Sequence, residues 1–101
     1  MKFLINTEPR GNIPPEAAGP VFQAAKEWIA AKVKDGTIDS IHSFPAGGAT
    51  VIANADSNEA LMRDIRDFPL FPFSSWDVRP LVDINESFDS AIEMFRKMAA
   101  R

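Results

Sequence analysis

His42 is the one histidine in a chain that has no cysteine. Histidine is the side-chain type that titrates near neutral pH, so His42 is a candidate for carrying a proton to or from a substrate. Asp77 and Arg79 stand two apart in a β-like stretch, Ser75 to Val82. That spacing puts both side chains on one face of a strand, with Trp76 and Val78 on the other. An arginine there can grip a carboxylate through two parallel hydrogen bonds, and Asp77 can serve as its partner or as a base. Glu27, beside the apolar surface of Trp28, is a further candidate base. Asn6 and Asn54 can add neutral donors, and Phe71, Phe73 and Trp76, with Phe68, can line an apolar ligand cavity. Together these groups suit proton transfer alpha to a carbonyl, which needs an acid or base and something to hold an enolate. Each also has a plainer reading. His42 can be a hydrogen-bonded structural side chain, Asp77 and Arg79 a surface pair, Glu27 part of a solvated helix face, and the aromatic group simply core.

The chain that must position these residues has 101 residues, enough for one domain spanning 1–101. Its apolar fraction of 46% is that of a globular protein. The net charge of −3 and the absence of any basic tract argue against a nucleic-acid partner. No apolar run is long enough for a membrane span, and Met1-Lys2-Phe3 leads straight into a strand pattern, so a cytoplasmic protein is expected. One histidine and no cysteine speak against a dedicated zinc site, and Gly47-Gly48 lacks the spacing and the lysine of a phosphate loop.

Phe3 to Thr7 reads as a strand, followed by the turn cluster Glu8-Pro9-Arg10-Gly11-Asn12. Pro14-Pro15-Glu16 opens a helix with Ala18, Phe22, Ala25, Ile29 and Val33 on its apolar stripe, and Gly36 ends it. Two strands follow, Ile38 to Phe44 and Ala49 to Ala55, joined through Pro45-Ala46-Gly47-Gly48. On strict alternation His42 shares a face with Ile38, Ser40 and Phe44. Asp56 or Ser57 caps a second helix with Leu61, Ile65 and Phe68 on its buried side. The prolines of Phe68-Pro69-Leu70-Phe71-Pro72-Phe73 stop that helix near Asp67 and make a rigid, buried elbow that aims the fourth strand. Asn85 or Ser87 caps a last helix bearing Phe88, Ala91, Ile92, Phe95, Met98 and Ala99. The order β-α-β-β-α-β plus one helix is that of an α+β, ferredoxin-like antiparallel sheet. Two helices cover one face, and the other face is left for a partner.

On Lys26-Glu27, Asp35-Gly36-Thr37, Asn58-Glu59-Ala60-Leu61 and above all the Phe68–Phe73 elbow, the chain resembles the muconolactone isomerase family. The resemblance covers roughly residues 1–82. It implies a dimeric α+β barrel, a homodimer or larger assembly of dimers, and no cofactor. It also implies a role in aromatic-compound catabolism and a double-bond shift in a carboxylated lactone. The chain departs from the family at Phe22, Ala24 and Ala25 in the first helix, at Ile38, Ser43 and Ala53 in the middle strands, and in the terminal helix. Two other readings stay open: a non-catalytic small-molecule-binding or oligomerisation module, and another cofactor-free enzyme of the same barrel, monooxygenase-like or cyclase-like. In each case the ligand is expected to be apolar or carboxylated.

Overall fold

The structure, a computed structural model, describes residues 1–101. Strand β1 (Lys2–Pro9) alternates buried and half-buried side chains: Phe3, Ile5 and Thr7 point inward, Leu4 and Asn6 outward. Helix α1 (Pro15–Lys34) starts with a proline at its first position, where the missing N–H costs nothing. The hairpin of β2 (Ile38–Ser43) and β3 (Ala49–Asn54) follows, then helix α2 (Asn58–Asp67). Ser57 caps α2, accepting the Ala60 N–H at 3.0 Å. The elbow contains a short 3-10 turn, Phe71–Phe73, and delivers the chain into β4 (Ser74–Leu81). Helix α3 (Ile84–Ala99) closes the chain. Asp83 caps it, rather than Asn85 or Ser87, because the Asp83 carboxylate accepts the N–H groups of both Asn85 and Glu86.

The sheet is antiparallel in the order β2-β3-β1-β4, so β1 is central and pairs with both β3 and β4. Phe3 and Ile5 of β1, Ile38 of β2, Val51 and Ala53 of β3 and Leu61 of α2 form the core beneath α1 and α2. Half-buried Trp28, Ile29, Ile65 and Trp76 pack around it. A bulge shifts the β2–β3 register between Ile38 and Ser40. Strict alternation therefore fails in β2: Ile38 joins the core face, while Ser40 and His42 pair with outward-facing Ile52 and Thr50. The expected single face for Ile38 and His42 is corrected accordingly. The elbow is also less enclosed than its composition suggests, since Phe68, Phe71 and Phe73 are all half-buried.

Helix α3 stands away from this body. Every one of its residues except Ala91 is exposed, and the molecule is 67 Å long against 27 and 24 Å in the other directions. No helix is long and apolar enough to cross a membrane.

Candidate functional site

The layer between sheet and helices is hollow. A cavity of about 460 Å³ lies there, lined chiefly by apolar side chains that include Ile5, Val51, Phe22, Trp28, Phe68 and Trp76. This volume lies within the usual range for small-ligand sites, roughly 300–1,000 Å³. The core that should fill this layer has only six buried residues. The aromatic wall is built from three elements: Trp28 of α1 lies 5.0 Å from Phe68, and Phe68 meets Trp76 of β4 edge-on at 6.0 Å. Phe71 flanks Trp76 from behind at 5.9 Å and does not line the cavity, whereas Phe73 does.

Two polar groups sit side by side on the sheet floor. Trp76 is the cross-strand partner of Thr7, and both line the cavity. The Trp76 Nε1–H is buried and has no hydrogen-bond partner. A buried donor without a partner costs about 1–3 kcal/mol, so such groups mark places where a missing acceptor belongs. The Thr7 hydroxyl accepts the Ala49 N–H at 3.0 Å and keeps its own proton available. Cross-strand neighbours bring their Cβ atoms to about 5 Å, so the two side chains are neighbours on the floor. The floor can form because Gly48 passes directly over Thr7. A Cβ on Gly48 would stand 2.1 Å from the Thr7 carbonyl oxygen, and its φ of +85° suits glycine.

The cavity lining holds two titratable groups, Lys26 and Asp64. Asp64 is engaged by Lys32 at 3.2 Å, and the Lys32 ammonium also lies 5.4 Å from the centre of the Trp28 ring. Lys26 forms no ion pair and is the free charge of the lining.

The residues singled out in the sequence divide between two places. Phe73 and Trp76 line the cavity. His42, Asn6, Asp77 and Arg79 occupy the opposite, uncovered face of the sheet. The register sets His42, Thr50, Asn6 and Asp77 in one cross-strand row, with Arg79 opposite Leu4 in the next. Strands lie about 4.8 Å apart, which puts His42 and Asp77 on the order of 14 Å from one another, too far for direct proton exchange. Arg79 Nε donates to Asp77 at 3.2 Å, and both side chains are more than half exposed. Asn6 Oδ1 is buried in that row without a partner. Glu27 is exposed on α1 and accepts from Gln23 at 3.1 Å. Asn54 is occupied at both ends: its amide donates to Asp39 at 2.7 Å and to Gly36 O at 3.1 Å, and its oxygen accepts from Lys2 at 2.9 Å. Lys2 also pairs with Asp39. Hydrogen bonds from Lys2 and then Asn54 hold the Asp39 carboxyl below its ordinary range.

Thr7 is not singled out in the sequence, and Lys26 enters there only through the Lys26-Glu27 pair that carries the family resemblance. A threonine in an apolar alternation reads as filler, and only its cross-strand pairing with Trp76 gives it meaning.

Comparison with solved structures places this architecture. The chain superposes on muconolactone isomerase with a TM-score of 0.76 at 21% identity, covering 82% of this chain and 90% of that one. The two proteins share one fold. A second similar structure is the 5-chloro-2-hydroxyhydroquinone dehydrochlorinase TftG of Burkholderia phenoliruptrix AC1100, in complex with 2,5-dihydroxybenzoquinone. Its TM-score is 0.62 at 14% identity, covering 85% of this chain and 98% of that one. No protein-family model and no curated protein sequence matches the chain. The α+β, ferredoxin-like fold expected from the order of elements is thus the fold of muconolactone isomerase.

Proposed function

We propose that the cavity binds a small, flat, oxygen-bearing ring compound and that the protein moves a proton on it, as in a double-bond shift within a carboxylated lactone. The observation that carries this reading is the buried, partnerless Trp76 N–H beside the Thr7 hydroxyl on the floor of an apolar cavity. Two neighbouring donors suit an oxygen that gains negative charge when the adjacent carbon loses its proton. Lys26, which forms no ion pair, attracts the anionic substituent of such a substrate, and Asp64, the one carboxylate of the lining, takes the proton from one carbon and returns it to the other. The likeness to muconolactone isomerase and to a dehydrochlorinase holding a dihydroxybenzoquinone supports ligands of this size and oxygenation. The proposed setting is aromatic-compound catabolism.

Trp28 and Trp76 are the only tryptophans, there is no tyrosine, and both tryptophans line the cavity. Intrinsic fluorescence therefore reports occupancy directly. Titration with carboxymethyl-butenolides and with 2,5-dihydroxybenzoquinone should quench it saturably, and ultraviolet absorbance should show lactone turnover. Saturable quenching without turnover would leave a binding module of the same fold. No quenching by any of these compounds would overturn the cavity reading.

A second reading rests on the partnerless Asn6 Oδ1. In it, a second copy covers the open sheet face and forms a homodimer. The shared chamber then holds His42 and Asp77 as proton-transfer groups and Arg79 as the carboxylate anchor. Under that reading His42→Ala lowers kcat and Arg79→Ala raises KM, whereas the cavity reading leaves both values near wild type.

A further inference from the structure

Helix α3 is an amphipathic arm with nothing on its apolar side. Ile84, Phe88, Ala91, Phe95 and Met98 recur at spacings of 4, 3, 4 and 3 residues, the seam pattern by which one helix packs along another. Phe88 and Phe95 are 61% and 59% exposed. Ile92 and Ala99 widen the stripe on one side. A 16-residue helix is marginal in water unless its apolar face is covered, even with a good cap such as Asp83.

We propose that α3 pairs antiparallel with the α3 of a second copy. Charge points to this occupant. Asp83, Glu86 and Asp89 lie in the first half of the segment with no basic residue, and Arg96, Lys97 and Arg101 outnumber the single acid Glu93 in the second. Antiparallel pairing sets each acidic half beside the basic half of the other copy and opposes the helix dipoles, whereas parallel pairing sets like beside like. The stripe Ile84, Phe88, Ala91, Ile92, Phe95 and Ala99 is symmetric about the point between Ala91 and Ile92, so a two-fold axis there brings Phe88 against Phe95 of the second copy, Ala91 against Ile92 and Ile84 against Ala99. The small side chain at the centre lets the helices approach closely. Each stripe offers roughly 600–700 Å² of apolar surface, so a pair buries on the order of 1,200–1,400 Å², the lower range of stable interfaces. The open sheet face is a poorer match for this stripe, since it carries His42, Thr50, Asn6, Asp77 and Arg79.

The absence of cysteine makes the test clean. In the full chain, Ala91→Cys should form a disulfide-linked dimer under mild oxidation, because the two positions stand next to one another on either side of the axis. Ile84→Cys and Ala99→Cys should each fail to link alone and should link when mixed. Glu93→Cys, on the outer side, should not link. Light scattering at tens of micromolar should show an assembly whose mass falls by half in the Phe88→Asp/Phe95→Asp variant, with the melting temperature of the body unchanged. A monomeric wild type, an unchanged mass in the double variant, or self-linking of Ile84→Cys would each overturn the proposal.

Discussion

Replacing Gly48 with alanine tests the construction of the cavity floor. The new Cβ would lie 2.1 Å from the Thr7 carbonyl oxygen, 3.0 Å from its carbon and 3.1 Å from Glu8 Cα. All three are backbone atoms of the central strand, so no flexible side chain can swing away. Relief requires the backbone at Gly48 to shift by about 1 Å off β1, which strains two bonds: Ala49 N–H to Thr7 Oγ1 and Phe44 N–H to Gly48 O, at 3.0 and 2.9 Å. Weakening both costs about 2 kcal/mol, and a non-glycine residue at positive φ adds about 1–2 kcal/mol. The total of about 3–4 kcal/mol is a large share of the stability of a domain this size, and corresponds to a fall in Tm of roughly 15–25 °C. Gly36 is the internal control. Its φ is +86°, but a Cβ there meets nothing within 4 Å. Gly36→Ala should therefore lose only the backbone contribution, about 1–2 kcal/mol, or roughly 5–15 °C. Thermal melts of the two variants followed by circular dichroism decide the matter. If Gly48→Ala melts within a few degrees of Gly36→Ala, the close crossing over Thr7 is not what holds the floor in place.

Leu61→Ala, which removes the α2 side chain that is 5% exposed in the core, should destabilise by about 2–5 kcal/mol in urea melts. Trp76→Phe keeps an aromatic ring but deletes the N–H and part of the ring surface, so ligand affinity read from the remaining Trp28 fluorescence should fall at least about 3–10-fold, the loss of one hydrogen bond alone. Lys26→Met should weaken carboxylated ligands more than uncharged analogues, a difference that shrinks at high salt. The Asp39 carboxyl, held low by Lys2 and Asn54, contributes stability that is complete above its ordinary value of 3.8 and lost as pH falls through its lower folded value. Asp39→Asn should accordingly flatten that part of the Tm decline between pH 5 and pH 2.

The element order was legible because prolines and glycines punctuate it: Pro15 opens α1, Gly36 follows its end, and Pro69 bars α2 from continuing. What alternation could not reveal was the bulge after Ile38, which turns His42 away from the core because one extra residue reverses the pleat. The aromatic elbow announced the wall of the cavity but overstated its burial, so Phe71→Ala should cost nearer to about 2 kcal/mol than a fully buried ring would. Residue type alone points to His42, Asp77 and Glu27 for proton transfer and to Arg79 for gripping a carboxylate. The cavity floor instead depends on which residue lies across the strand, a long-range property that no local pattern encodes.

The link between α1 and α2 has a consequence for ligand traffic. Trp28 donates to Asp67 at 3.2 Å and Lys32 pairs with Asp64, so the helices are fastened along the C-terminal halves of both. That end of the chamber acts as a closed hinge side. The opposite end is framed by Ile13, exposed Phe22 and Gly47, with no ion pair across it. Under the proposed function a ligand enters and leaves beneath the N-terminal half of α1, where Phe22 is the large side chain of the rim. Shortening Phe22 to alanine widens the passage and speeds release, while the polar floor at Trp76 and Thr7 stays as it is.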